Sequence, residues 1–323
     1  DTIDDRWSYY MTAEQYIEYQ KYQQNNYTGI GITIEKDEES GLYRVVTVLE
    51  DSPASRAGIN LGDLICEFDG QDLTGKTSSD IKELIAVKQD EVFKLKLRAQ
   101  DGTEREVEVS AALIHSDPVE YEMLDDGIGY IKIKNFEIDS GEETIAAVDK
   151  LVADGATGIV FDVRNNPGGL LSELLKALDH LLPEGDIFVA ADKEGNETVK
   201  TSDSDCVKIP MAVLMNENSY SAAEFFAAAL SEYDWATTVG AHTTGKARSQ
   251  INIELTDGSA VHLSTNSYLT PKRVDLAKTG GLAPDVPIAI DEEAEAKLES
   301  GLLEYDKDPQ LIAALDEINA LAG

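Results

Sequence analysis

Residues 158–182 read GIVFDVRNNPGGLLSELLKALDHLL. The first seven, GIVFDVR, form an unbroken apolar run of the kind found in a strand covered on both faces. NNPGG (165–169) is a sharp turn, and the leucines at 171, 174, 175, 178 and 182 then fall on one face of a helix. The same order of strand, turn and helix recurs at 211–230, where MAVLM is followed by NENSY and SAAEFFAAAL. Strands separated by helices predict a mostly parallel sheet, whose ligands collect beyond the carboxyl ends of its strands. Both turns should therefore open on one crevice.

Outward from this core the pattern changes. Residues 12–24, TAEQYIEYQKYQQ, open with a T-x-x-Q capping box and carry Tyr16, Tyr19 and Tyr22 at near-helical spacing, which predicts a short amphipathic helix. From 29 to 110 short strands follow one another (GIGITIE, YRVVTVLE, DLICEFDG, VFKLKLRA, EREVEVSA), broken by turns at SG, DG and DG and by one helix, SSDIKELIAVK (78–88). The polar joint HSDPVE (115–120) leads to the strand GIGYIKIKNF. The tail from 291 reads as solvated helix on an acidic surface. The expected segments are an N-terminal helical segment (1–26), a β-rich module (27–113), an α/β core (114–290) and a helical tail (291–323).

The 323 residues contain 62 acidic and 27 basic side chains, a formal net charge of −35. Such a surface repels nucleic acid and anionic lipid and favours neutral or basic substrates. Cys66 and Cys206 form neither a disulfide framework nor a zinc motif, so two free thiols are expected, and no metal or cofactor is assigned. No apolar run reaches the length of a membrane span. The opening DTIDDRW lacks the basic and apolar regions of an export signal, and composition leaves localisation open.

Two serines, Ser219 and Ser221, stand at the mouth of the 222–230 helix. Ser221-Ala222-Ala223-Glu224 fits a capping box, so Ser221 reads locally as a helix cap. As a nucleophile it would need a base. His180 lies in the leucine helix, His262 in the strand SAVHLST and His115 in the polar joint, which leaves His242 in GAHTTGK as the histidine candidate. Lys246 is the other: next to Gly245 and after the apolar run WATTVG, it would serve if burial lowered its pKa, otherwise about 10.4, toward neutrality.

NENSYSAAE followed by GAHTTGKARSQ resembles the catalytic signature of the C-terminal processing peptidases, or tail-specific proteases, serine peptidases with a Ser/Lys dyad. In that family the serine of S-A-S-A-S-E precedes the lysine of T-x-G-K-G by 25 positions, with a glutamine four further on; Ser221, Lys246 and Gln250 fall into this register. YTGIGI (27–32) and SPASRAGINLGDLICEFDG are similar to the family's PDZ module, DVRNNPGGLL to its D-x-R-x-N-x-G-G segment and GLAPDVPI to its closing G-I-x-P-D stretch. Tyr220, Ala223 and Ala247 depart from the pattern, Ala247 replacing a glycine.

The resemblance implies a crotonase/ClpP-like protease core with an inserted PDZ domain, an extracytoplasmic location, and proteolysis without a cofactor. It implies Ser221 as nucleophile, Lys246 as base and Gln250, one helical turn or two strand steps on, as the residue holding the amine. The N–H of Ala222 at the helix start, with that of Gly168 or Gly169, would form the oxyanion hole. The N–H groups of Gly29, Ile30 and Gly31 would bind the carboxylate of a protein substrate with an apolar C-terminus, beside a pocket lined by Ile30, Ile32, Ile81, Leu84 and Ile85. The terminal segments are the candidate surfaces for a homodimer. A peptide-binding scaffold without turnover, and a Ser/His hydrolase using His242, are the competing readings.

Overall fold

The computed structural model describes residues 5–37, 39–86, 88 and 91–322, in two compact units. One comprises the N-terminus to Asn25, Asp117–Glu299 and Leu303 to the C-terminus; the other is Asn26–Ser116 with Ser300–Leu302. The predicted opening at 1–4 and Val87 of the predicted 78–88 helix lie outside the described residues; that helix runs Ser78–Ala86. No helix of the described residues is long and apolar enough to cross a membrane.

In the larger unit, a six-stranded sheet runs in the order Val119–Met123, Gly129–Ile133, Ile159–Asp162, Met211–Met215, Ala236–Gly240, Val286–Pro287. Its first pair is antiparallel and every later pair parallel. The central strands Ile159–Asp162 and Met211–Met215 are wholly buried, in keeping with their uninterrupted apolar sequence. On one face the helices Ser140–Ala153, Leu171–Leu181 and Ala222–Glu232 bury Leu151, Leu174, Leu178, Phe225 and Phe226 in the main core.

The other face is covered by the C-terminal helix Pro309–Ala322, and here the sequence reading is corrected: the tail is not a solvated helix. Leu311, Ala314 and Ile318 are buried against Val160, Ala212, Leu214 and Val239. Their spacing of three and four is that of an apolar helical stripe, which the neighbouring acidic residues obscured. The preceding helix Glu292–Ser300 buries Leu298 and is otherwise exposed or half-buried.

A second sheet, not foreseen from the sequence, is entirely antiparallel. The long strand Ala260–Leu269 pairs with Tyr9–Met11, Arg248–Glu254 and Gly185–Ala191, the last of which pairs with Glu197–Ser202. It draws strands from three distant parts of the chain, so local periodicity carries little trace of it. The predicted helix near the N-terminus runs Ala13–Gln23, with the capping box formed between Thr12 and Gln15.

The smaller unit is all antiparallel in its sheets. Ile32–Lys36, Tyr43–Val48, Leu64–Phe68, Val92–Arg98 and Glu104–Ser110 lie side by side in that order, Gln71–Asp72 pairs with Leu64–Phe68, and Asn26–Gly29 pairs with Ala112–His115. Phe93, Leu95 and Leu97 point into its core, as their alternation with charged residues requires. Cys66 and Cys206 are free.

Asp162 and Arg164, at the end of a central strand, hold the C-terminal segment in place. The buried Arg164 guanidinium pairs with Asp162 (2.6 Å) and Asp308 (2.7 Å) and donates to Gln310 Oε1 (3.0 Å). Asp308 in turn accepts from the N–H groups of Gln310 and Leu311 at the helix start. Burial by itself would raise the Asp162 carboxyl; the adjacent guanidinium outweighs it and holds the group below its ordinary range. Arg164→Ala would strand two buried carboxylates and should cost about 3–5 kcal/mol of stability, measured by urea unfolding.

Candidate active site

The two strand–turn–helix units deliver their turns to one place, as expected from the order of strands. A cavity of about 600 Å³, entirely within the larger unit, is lined by Gly168, Gly169, Ser221, Ala222, Lys246 and Gln250. Ser221 precedes the helix Ala222–Glu232 with φ 56° and ψ −123°. For a residue with a Cβ this backbone is strained by roughly 1–3 kcal/mol, so the surroundings must impose it. Tyr220 N–H donates to the Asn166 carbonyl (3.1 Å), Ser221 N–H to Glu224 Oε2 (2.9 Å), and Glu224 N–H to the Ser221 carbonyl (2.9 Å). The glycine turn lies directly against this bend: a Cβ on Gly168 would come within 2.8 Å of the Ser221 Cβ and 2.9 Å of the Ala222 nitrogen.

Glu224, fully buried, ties the serine to the lysine loop. Besides the Ser221 N–H, its carboxylate accepts from Thr243 Oγ1 (2.5 Å), Gly245 N–H (2.6 Å) and Lys246 N–H (2.8 Å). In the sequence it was legible only as the last residue of a capping box. A lone carboxyl in the apolar run AAEFFAAAL was the further signal, since so buried an acid needs several donors. Ala247 takes a negative φ and is buried, so the alanine in place of glycine fits; the left-handed residue of this loop is Gly245, at φ 86°.

The Lys246 ammonium sits against aromatic rings, with Nζ 4.7 Å from the Trp7 centroid and 5.5 Å from that of Tyr220. Burial lowers its pKa, while the negative charges of Glu137, Glu224 and Asp5 oppose that shift. Nothing in the sequence tied Trp7 to the lysine, because some 240 residues separate them. Gln250, on the strand Arg248–Glu254, donates to Ser264 Oγ (3.3 Å), so in this arrangement its amide engages Ser264 and not the lysine.

Of the predicted oxyanion donors, the Gly168 N–H is committed to Asn166 Oδ1 (2.8 Å). No acceptor among the described residues takes the N–H of Ala222 or Gly169. Asn166 also donates to the Ile133 carbonyl (2.7 Å), which fixes the turn to the neighbouring strand. His242 does not line the cavity. His262 does, bonded to Asn252 (2.6 Å) and packed on Tyr9, with burial, then the nearby Lys246 charge, lowering its pKa.

The smaller unit has its own groove of about 500 Å³, between the Ile32–Lys36 strand, which is a sheet edge, and the helix Ser78–Ala86. Gly29, Ile30, Gly31, Ile32, Ile81 and Ile85 line it; Leu84 does not. Gly29 is paired with Ala112 in the short ladder, and no acceptor among the described residues takes the N–H of Ile30 or Gly31. Gly31 has φ 80°, and a Cβ there would lie 2.4 Å from the Ser52 Cβ, so only glycine fits this turn.

Comparison with known proteins agrees with this layout. Residues 127–288 match the Peptidase family S41 model and residues 44–99 a PDZ domain model. The chain is 30% identical over 291 residues to a CtpA-like serine protease of Staphylococcus haemolyticus, and 30% identical over 296 residues to the chloroplastic carboxyl-terminal-processing peptidase 1 of Arabidopsis thaliana. These matches take in 89% and 88% of this chain but only 58% and 60% of the relatives' own lengths. Among solved structures it is similar to a photosystem II D1 C-terminal processing protease, at 26% identity and a TM-score of 0.58, with 95% of this chain and 84% of that one covered. Since the S41 model alone accounts for half of the residues, the chain belongs to peptidase family S41 and carries a PDZ domain.

Proposed function

We propose that the chain is a serine endopeptidase that hydrolyses peptide bonds through a Ser221/Lys246 dyad and recognises the free C-terminus of its protein substrates through the PDZ groove. The observation that carries this reading is that Glu224 fastens the strained Ser221 turn and the half-buried Lys246 loop to one carboxylate, beside a cavity both residues line. A neutral lysine amine takes the Ser221 hydroxyl proton as the oxygen attacks the scissile carbonyl, then returns it to the leaving amine. The uncommitted N–H groups of Ala222 and Gly169, at the positive end of the helix, favour this pair over Gly168 as the oxyanion hole. Gln250 would hold the amine once substrate displaces its bond to Ser264.

In the PDZ groove a substrate terminus would add as a strand to the Ile32–Lys36 edge, its carboxylate on the Ile30 and Gly31 N–H groups and its apolar last residue against Ile81 and Ile85. The reading extends to a crotonase/ClpP-like core, an extracytoplasmic setting and a homodimer formed through terminal segments. The segment division at 26, 113 and 290 is part of the same reading, with the tail now assigned to the core.

Cleavage of an unstructured polypeptide with an apolar C-terminus, read by mass spectrometry, should vanish in Ser221→Ala and fall about 10²–10⁴-fold in Lys246→Ala, with His242→Ala retaining activity. Tight binding without product in the wild type would favour the peptide-binding scaffold. Because burial lowers the lysine pKa, its neutral, active form gains population as pH rises through that lowered value. The rate should therefore climb with pH and level off below the pH at which an exposed lysine titrates. Glu224→Gln places an amide donor among four donors and should cost about 1–3 kcal/mol of stability by urea unfolding, and lower kcat more than it raises KM. Amidating the C-terminus of a PDZ-bound peptide should weaken binding about tenfold or more in calorimetry, through loss of charge-assisted hydrogen bonds.

A further inference from the structure

Glu137 has no place in the dyad mechanism, yet it lines the same cavity as Ser221 and Lys246. The backbone fixes it there. Phe136 N–H donates to the Gly168 carbonyl (2.7 Å) and Glu137 N–H to Asn135 Oδ1 (2.9 Å), while a Cβ on Gly169 would come within 2.8 Å of the Glu137 nitrogen. Glu137 thus abuts the glycine whose N–H faces the reacting carbonyl in the proposed mechanism.

Its side chain is only 5% exposed, and no hydrogen bond from the described residues reaches its carboxylate; Oε2 is fully buried without a partner. A buried acid left this way is costly unless something else supplies a donor. The titratable groups that face it are Tyr19, Tyr22 and Lys246, and each acts through space without a bond. Lys246 cannot be its lasting counter-ion, since a protonated amine is no base. When the amine is neutral, an ionised Glu137 is an uncompensated negative charge at the reaction centre.

We propose that Glu137 is a specificity-determining residue that receives the basic side chain, lysine or arginine, of the substrate residue on the N-terminal side of the scissile bond, the methylene stem lying along Leu171, Leu174 and Phe188 of the same cavity. The inference rests on the peptidase reading above. A substrate cation supplies the absent donor and counter-charge together, and it weakens the hold of Glu137 on the protonated form of Lys246. The net charge of −35 draws such substrates toward the molecule.

The test uses matched unstructured peptides that differ only at that residue, as Lys, Arg, Leu or Glu, with kcat/KM taken from product analysis. Wild type should cleave the Lys and Arg peptides about ten- to a hundredfold faster than the Leu peptide, and Glu137→Gln should erase or invert that ratio. Equal or faster cleavage of the Leu peptide by wild type overturns the proposal without recourse to any variant. An inactive dyad is separated by measuring binding in the Ser221→Ala background. Lys-over-Leu selectivity that disappears on adding Glu137→Gln upholds the role of Glu137 even if turnover fails, whereas equal binding there refutes it. Burial pushes the Glu137 carboxyl up to about 7, from an ordinary value of 4.5, so wild type loses stability as pH rises from about 4.5 to 7. A Glu137→Gln protein that melts no lower than wild type at pH 8 therefore reports on recognition and not on folding.

Discussion

The carboxylate of Glu224 is the constraint on which the geometry of the candidate active site depends. It is removed from solvent and must be satisfied where it stands, and the donors that satisfy it are the N–H of Ser221, a threonine hydroxyl and two N–H groups of the lysine loop. Losing any of these would leave a buried charge short of a partner. The helix that carries Glu224 is packed on the central sheet through Phe225 and Phe226, so the carboxylate is itself a fixed point. The relative placement of Ser221 and Lys246, the proposed nucleophile and base, thus follows from core packing, by way of one acid.

The same packing explains why the Ser221 backbone is held in a conformation that costs energy. Asn166 holds the glycine turn to one neighbouring strand and receives Tyr220, and the bare Gly168 lets the serine bend approach to a distance no side chain would permit. The helix dipole and the uncommitted N–H groups of Ala222 and Gly169 then lie where negative charge would develop. The proposed catalytic role of Ser221 is compatible with its place at the helix start, because backbone-centred bonds already close that end.

Electrostatics around the lysine is a balance of opposed effects. Withdrawal from water favours the neutral amine, while Glu137, Glu224, Asp5 and the faces of Trp7 and Tyr220 favour the charged one. Aromatic rings can exclude water without binding the amine tightly, which suits the role of base proposed for Lys246. Within this balance the Glu137 carboxylate takes no hydrogen bond from the described residues, which is why it is the member proposed to receive a substrate cation.

Local pattern was enough for the strands at 159–162 and 211–215, the helices that follow them, the alternating strands of the PDZ module and the Thr12 cap, because burial period and turn chemistry are properties of adjacent residues. The 25-residue spacing of Ser221 and Lys246 carried meaning only through the family resemblance, and the steric need for glycine at 31 and 168 became visible only in the structure. The antiparallel second sheet, the burial of Leu311, Ala314 and Ile318, the Arg164 link to Asp308, and Trp7 over Lys246 were not legible in local pattern. Each joins segments far apart in the chain, and the side chains involved have the same local sequence whether buried or exposed. Residue types and turns were thus determined by sequence alone; which polar groups lose water, and which donors they then find, was decided by tertiary contact, since desolvation depends on everything packed around an atom and not on its neighbours in the chain.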